Sequence, residues 1–205
     1  MKKIYVALAG LLFTFLITGT VMAQKMYIKC IDDSNNELTT NASPFAENAT
    51  DNGKTVELKN YMEVSSIQFS TDQAYETGST PGGMNPGRVA FGDFSFTTFT
   101  NIASTKLLMS QARGFLLKTV EVVILASDQQ GKSIVTHKIL LGNAGIKNFS
   151  ASAAGDCGNG CAGTAESYSL QYVTLQIFTY SQRPDGRVVQ NPSPFGWDRI
   201  RNVAL

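Results

Sequence analysis

Histidine, charge and proline are scarce in this chain. Only 16% of its 205 residues are Asp, Glu, Lys or Arg, His137 is the single histidine, and there are three cysteines, one tryptophan and six prolines. Sparse charge beside 43% hydrophobic residues excludes a disordered chain or a coiled coil, which need the opposite balance. Lys plus Arg number 17 against 16 acids, so the chain lacks the basic stripe that phosphate neutralisation requires, and nucleic acid is set aside as a partner. One histidine and no Cys-x-x-Cys pair leave too few ligands for a zinc site. No G-x-S-x-G elbow accompanies His137, which sits at an alternating strand position. The Gly-rich segments 82–87 and 155–163 lack the Lys-Ser/Thr of a phosphate cradle. Glu57, Glu63, Asp93, Glu121 and Glu166 stand apart in sequence and read as surface acids rather than a catalytic pair. Neither an enzyme nor a cofactor is expected.

The first 23 residues have the order of a cleaved secretory leader. Lys2 and Lys3 supply the positive start, residues 4–17 are an almost unbroken apolar run, and Val21-Met22-Ala23 presents small residues where a signal peptidase reads. The run is short of the roughly 20 residues that cross a bilayer, so cleavage after Ala23 is expected rather than a membrane anchor. Cys30 lies beyond Tyr27-Ile28-Lys29 and is not placed for lipid attachment. Residues 24–205 are then one exported domain, periplasmic or extracellular, without a membrane partner. Disulfides persist in such compartments. Cys157 and Cys161, separated by Gly-Asn-Gly, are expected to bridge a loop tip, where so small a ring adds little stability. Cys30 is left as a buried thiol on the first strand.

Beyond the leader, period-two alternation dominates. Residues 26–31 read as a first strand and the polar stretch 32–54 as a long loop. Ile67 and Phe69 mark a second strand. The stretch 72–88, with Gly78, Pro81, Gly82, Gly83, Pro86 and Gly87, reads as a long unstructured loop, yet it carries Tyr75 and Met84, side chains suited to docking. A third strand starts near Arg88; Val89 and Phe91 share one parity and Phe94 and Phe96 the other, which predicts a β-bulge at Gly92-Asp93. Residues 102–113 read as a helix, capped by Thr100 or Asn101 and ended by Gly114. Strands resume at 118–126 and 133–141, possible continuation follows at 146–152, and 167–180 reads as the longest. Arg183-Pro184-Asp185-Gly186 is a turn. The sum is a mainly β protein, a two-sheet barrel or sandwich of about eight strands with one short flanking helix.

The order of these features is informative. Gly87-Arg88-Val89-Ala90-Phe91-Gly92-Asp93-Phe94-Ser95-Phe96-Thr97-Thr98-Phe99-Thr100 precedes a helix opening at Ala103-Ser104-Thr105-Lys106-Leu107-Leu108; His137-Lys138-Ile139-Leu140-Leu141 follows, and Phe195-Gly196-Trp197-Asp198-Arg199 closes the chain. Across residues 25–202 this succession resembles the Hcp family, the haemolysin-coregulated tube proteins of bacterial type VI secretion. The resemblance implies a structural, non-enzymatic subunit, six copies closing into a ring and rings stacking into a tube, with small effector proteins inside and a spike protein at its end. In that family the loop between the second and third strands reaches a neighbouring ring. Here it corresponds to Tyr75, Gly78, Pro81, Met84, Pro86 and Arg88. The leader departs from the pattern, since members usually lack one and are driven outward by a contractile sheath. The alternative is an exported binding or adhesin-like module that keeps the fold without the injection machine.

Protein recovered from the periplasm or medium is expected to begin at Gln24. Mass spectrometry of its N-terminal peptide checks this, and an intact Met1–Ala23 segment would count against the leader.

Overall fold

The computed structural model describes residues 24–205 apart from 44–47, 78–83, 129–130, 154–162 and 184. Its backbone is built around the β-branched run that follows the helix. Strand β9 (Leu117–Ser127) lies antiparallel to β10 (Ser133–Ser152), a strand of 20 residues. Strand β1 (Lys25–Asp32) flanks β9 on its other side and is itself paired with β4 (Met62–Val64). The first half of β10 pairs with β12 (Thr174–Gln182), and its second half with β11 (Ala165–Gln171). Strand β8 (Phe94–Phe99) continues from β11 and is followed at the edge by β5 (Ser66–Gln68). At the other end β12 carries β14 (Phe195–Asp198), β15 (Val203–Ala204) and the short β13 (Val188–Gln190).

The two halves fold over one another because β10 turns a corner. Asn143 takes a left-handed φ of 50°, a conformation Asn tolerates better than most residues. On the facing strands the same corner falls at Tyr172-Val173, between β11 and β12, so Gly142 is opposite Thr174 and Gly145 opposite Gln171. A Cβ on Gly142 would collide with the Thr174 Oγ1, which is why glycine stands there. Apolar side chains from both halves meet inside: Ile28, Val120, Val122, Leu141 and Leu175 face Phe94, Phe96, Tyr168 and Leu170, all buried. The Phe96 and Tyr168 rings stack at 4.9 Å, within the range favoured by aromatic pairs.

Residues between β1 and β4 supply a cover for the other face of the β1–β9–β10 layer. Strands β2 (Asn48–Asp51) and β3 (Lys54–Glu57) form a hairpin, joined to β10 by a parallel bridge between Thr50 and Ile134. With Leu58 and Tyr61 they bury Tyr27, Val123, Leu125 and Val135. That is why β1 and β9 bury residues on both sides, Tyr27 and Val123 under the cover and Ile28 and Val122 in the core.

Several sequence expectations hold. Among the described residues the protein is mostly β with one helix, α1 (Ser104–Arg113), ended by Gly114 at φ 68° in the Schellman pattern, with the Phe115 N–H donating to Ser110 O at 3.0 Å. Cys30 is fully buried on β1, and burial pushes its thiol up to about 12. Others are corrected. The stretch 32–54 is not all loop, since it contains β2. The stretch 72–88 is not unstructured: it contributes to β6 (Thr71–Thr77) and β7 (Met84–Phe91), which pair antiparallel. Gly92-Asp93 is not a bulge within one strand but the break between β7 and β8, which lie in different sheets. Residues 133–141 and 146–152 are one strand, whereas 167–180 is two. The helix begins two residues late, because Asn101 Oδ1 accepts from Ala103 N–H at 2.9 Å and Ser104 Oγ from Asn101 N–H at 3.0 Å, closing a turn first. Cys157 and Cys161 lie outside the described residues.

Asn143 is exposed, so its substitution tests the corner without disturbing the core. Asn143→Val, a β-branched residue forced to positive φ, is expected to lower unfolding free energy by about 1–2 kcal/mol, with Asn143→Gly tolerated; urea denaturation of both variants checks it.

Candidate assembly surface

Strands β6 and β7 form a sheet of their own, hydrogen-bonded to no other described strand. This hairpin is an arm on the body formed by the other strands. Its register slips between Gln73 and Tyr75: Gln73 faces Val89, but Tyr75 faces Pro86, so Gly87 and Arg88 are crowded opposite Ala74. A Cβ on Gly87 would lie 3.0 Å from the Ala74 carbonyl oxygen, and the Gln73 amide donates to Gly87 O at 3.1 Å. Bulges of this kind re-aim the neighbouring side chain. Here that side chain is Arg88.

The sequence-predicted docking residues divide accordingly. Tyr75 is 59% exposed on β6, its hydroxyl donating to Gln73 Oε1 at 3.2 Å. Met84 and Pro86 fall on β7, opposite Thr77 and Tyr75. Arg88 is at the bulge and is turned toward the body, its Nη2 donating to the carbonyl of Arg199 at 2.9 Å. Gly78 and Pro81 lie outside the described residues.

The arm meets the body at its base. Gly92 N–H donates to Ser70 O at 2.9 Å, and a side chain at Gly92 would strike the Ser70 hydroxyl. The Phe91 ring lies 6.3 Å from that of Phe195 and 6.2 Å from that of Trp197. A cavity of about 270 Å³ opens between the base of the arm and these rings, lined also by Thr71, Gln73 and Val89. Arg199 holds the junction. Its Nη2 donates to Phe91 O at 2.6 Å and its Nη1 to Tyr172 O at 2.8 Å, its guanidinium lies 4.4 Å from the centre of the Tyr172 ring, and its backbone N–H donates to Val173 O at 3.0 Å. Asp198 shapes the approach, its Oδ1 accepting the N–H groups of Ile200 and Arg201, each at 2.9 Å. Hydrogen bonds from a charged donor contribute about 1.5–3 kcal/mol each. In the sequence Arg199 is part of a closing motif without an assignable role, because a lone arginine in a polar tail carries no signal of what it reaches.

Two of the acids expected to stand alone, Glu166 and Glu121, sit in polar clusters, whereas Glu57 and Glu63 are exposed as expected. Glu166 is buried, not a surface acid, and its carboxylate accepts from Thr100 Oγ1 at 2.9 Å, Ser104 Oγ at 2.7 Å and Tyr168 OH at 2.9 Å. It ties the start of α1 to β11. Burial, then the hydrogen bond to Glu166, raises the Tyr168 phenol well above its ordinary range. Glu121 belongs to the second cluster: Lys138 Nζ lies 2.7 Å from Asp51 and 3.3 Å from Glu121. Burial opposes the lysine's charge, but the Asp51 hydrogen bond and the two carboxylates outweigh it and hold Lys138 above its ordinary value. Burial and then Asp51 push Tyr180 up to about 12. This cluster fastens the β2–β3 hairpin to β9 and β10. Both arrangements are internally satisfied ties. His137 is exposed on β10, with Nδ1 3.3 Å from Thr136 Oγ1. Among the described residues no three His, Cys, Asp or Glu side chains gather where they would hold a metal.

A second exposed apolar surface follows α1. Leu108, Met109, Phe115 and Leu116 are all more than two-fifths exposed. A groove of about 670 Å³ runs beside Met109 and Phe115, edged by Asp32, Asp33, Lys106 and Arg113.

Comparison with known proteins bears on these surfaces. Residues 48–179 match the family described as "Type VI secretion system effector, Hcp". No curated protein matches the chain. Among solved structures, one described as a type six secretion system protein superposes with a TM-score of 0.65 at 19% identity, covering 89% of this chain and 100% of the other. One described as an Hcp protein gives 0.60 at 19% identity, covering 82% and 97%. Hcp1 from Salmonella typhimurium gives 0.56 at 17% identity, covering 90% and 100%. At such identities these likenesses establish the fold alone.

Removing the buried carboxylate by Glu166→Ala is expected to cost roughly 3 kcal/mol, since three hydroxyl donors lose their acceptor. Glu166→Gln, which retains one acceptor oxygen, should cost less. Paired urea titrations read the difference.

Proposed function

The chain belongs to the Hcp family of type VI secretion, and from that premise we propose that it is a structural, non-enzymatic subunit whose six copies close into a ring and whose rings stack through the arm into a tube. The observation that carries this reading is the arm itself: a two-stranded sheet that pairs with no other described strand and carries an exposed tyrosine. Head-to-tail contacts between rings propagate without closing, and a protruding hairpin is a simple device for making them. Tyr75, Met84 and Pro86, with Gly78 and Pro81 from the segment that joins β6 to β7 in sequence, are the proposed contact; Arg88 bonds the body and serves the arm's base. Ring closure needs a lateral surface as well, and the apolar face around Leu108, Met109 and Phe115 is offered for it. The ring lumen would house small effector proteins, and a spike protein would cap the tube. The leader at 1–23 implies that the subunit is exported before it assembles, and the Cys157–Cys161 bridge belongs to the same reading.

Replacing residues 78–87 by a short Gly-Ser linker is expected to leave a folded protein that forms rings but no longer stacks. Negative-stain microscopy of the mature protein in oxidising buffer reads both. A shortened variant that stacks as readily as wild type would overturn the tube. Wild type that forms no rings would favour the exported binding or adhesin-like module.

A further inference from the structure

The arm is coupled to the body through one small group of residues, and their hydrogen bonds run in both directions. Arg199, in the body, donates through Nη2 to the carbonyl of Phe91, the last residue of β7. Arg88, in the arm, donates through Nη2 to the carbonyl of Arg199. Each arginine therefore takes a main-chain oxygen on the other's segment. The remaining faces of the Arg199 guanidinium are occupied by the corner: Tyr172 O accepts from Nη1, and the Tyr172 ring lies against the plane. Carbonyls at a strand corner lose their ladder partners and must be satisfied elsewhere. One side chain here serves the corner and the arm at once.

From this we infer that Arg199 and Arg88 form a reciprocal latch that sets the angle of the arm on the body, so that both are positioning residues for the stacking contact. The inference rests on the tube reading for its functional half, and on geometry alone for the latch. Alternative geometries for the arm are few while the latch is closed. Glycine at 92 leaves a close Ser70 contact at the hinge, and the aromatic packing of Phe91 on Phe195 and Trp197 is not directional enough to fix an angle by itself. The planar fork of arginine bonds two carbonyls that lie in different segments, a task lysine cannot perform with the same geometry. The bulge at Gly87-Arg88 belongs to the same device, because it turns Arg88 toward the C-terminal segment while Tyr75 stays exposed.

The protein carries its own reporter. Trp197 is its only tryptophan, its ring lies against Phe91 at the base of the arm, and its Nε1 is buried without a hydrogen-bond partner in the structure. Opening the latch admits water to that nitrogen. The test compares mature wild type with Arg199→Gln, Arg199→Lys, Arg88→Gln and the double Gln variant, reading Trp197 emission, acrylamide quenching and thermal unfolding on each, and stacking by microscopy. Arg88→Gln opens the latch from the arm side, by removing the hydrogen bond to the Arg199 carbonyl, and thermal unfolding shows that each variant is folded. The expected result is a red-shifted emission and a roughly twofold rise in quenching for Arg199→Gln and Arg88→Gln, with rings retained and stacks lost. Arg199→Lys should recover less than half of the difference, and the double Gln variant should equal the stronger single one, because both open one latch. Unchanged emission and quenching in both Gln variants would overturn the latch. A latch that opens by fluorescence while stacking persists would overturn its positioning role. Wild type that fails to stack overturns the tube reading alone, and the fluorescence then decides the latch.

Discussion

The corner in β10 is the constraint on which the rest depends. A 20-residue strand rises roughly 65 Å if straight, far more than a domain of this size accommodates, so it must bend or end. It bends at Gly142-Asn143-Ala144-Gly145, where a positive φ and two residues without side chains allow β11 and β12 to follow it around the corner. Both sheets thereby share one continuous backbone, and the core is closed by the strand rather than by a loop. Everything packed across it, from Ile28 and Val120 to Phe94 and Tyr168, inherits its position from that bend.

A bent strand creates polar debts at the corner and exposes apolar surface outside it. Arg199 answers the first by satisfying Tyr172 O and Val173 O. The β2–β3 cover answers the second, bringing Leu58 and Tyr61 over Tyr27 and Val123, and the Asp51–Lys138–Glu121 cluster holds that cover in register. Ion pairs of this kind contribute little where water screens them. This one is partly buried, so its value lies in position: a half-buried lysine with two carboxylates has one place in which all three are satisfied. Glu166 does the same for the helix.

Much of the fold was legible in the sequence because burial follows periodicity. The strands at 118–126 and 133–141, the helix and its Gly114 stop, the buried Cys30 and the first strand all carry local signals. The failures have a common cause. Gly142 to Gly145 has the composition of a turn, so a continuous strand reads as two; Tyr172-Val173 has the composition of a strand, so the corner there leaves no signal. The prolines and glycines of 72–88 argue against a central strand, which is sound, yet a free-standing hairpin tolerates them because neither of its outer edges needs a partner. The candidate surface was legible in part. Tyr75 reads from the sequence as suited to docking, and the structure places it exposed; Arg88 reads as part of the same loop, yet it bonds the Arg199 carbonyl of the body, since a bulge that re-aims a side chain leaves no trace in residue type. Arg199, Phe91 and Glu166 owe their roles to segments distant in sequence.

An isolated two-stranded hairpin is marginally stable in water. The arm is such a hairpin. Its order must come from its ends: from the base, where Phe91, Trp197, Arg88 and Arg199 meet, and, under the tube reading, from whatever its tip touches. The base is the stronger of the two within a single subunit, because it joins the hairpin to a corner already fixed by both sheets. Loss of order at the base would free the whole arm. A fold that anchors its projecting strands through the same arginine that completes its core corner makes the orientation of the arm depend on correct folding of the body. Under the tube reading, subunits whose two sheets have not closed would present no arm in the right direction, and assembly would select for folded copies.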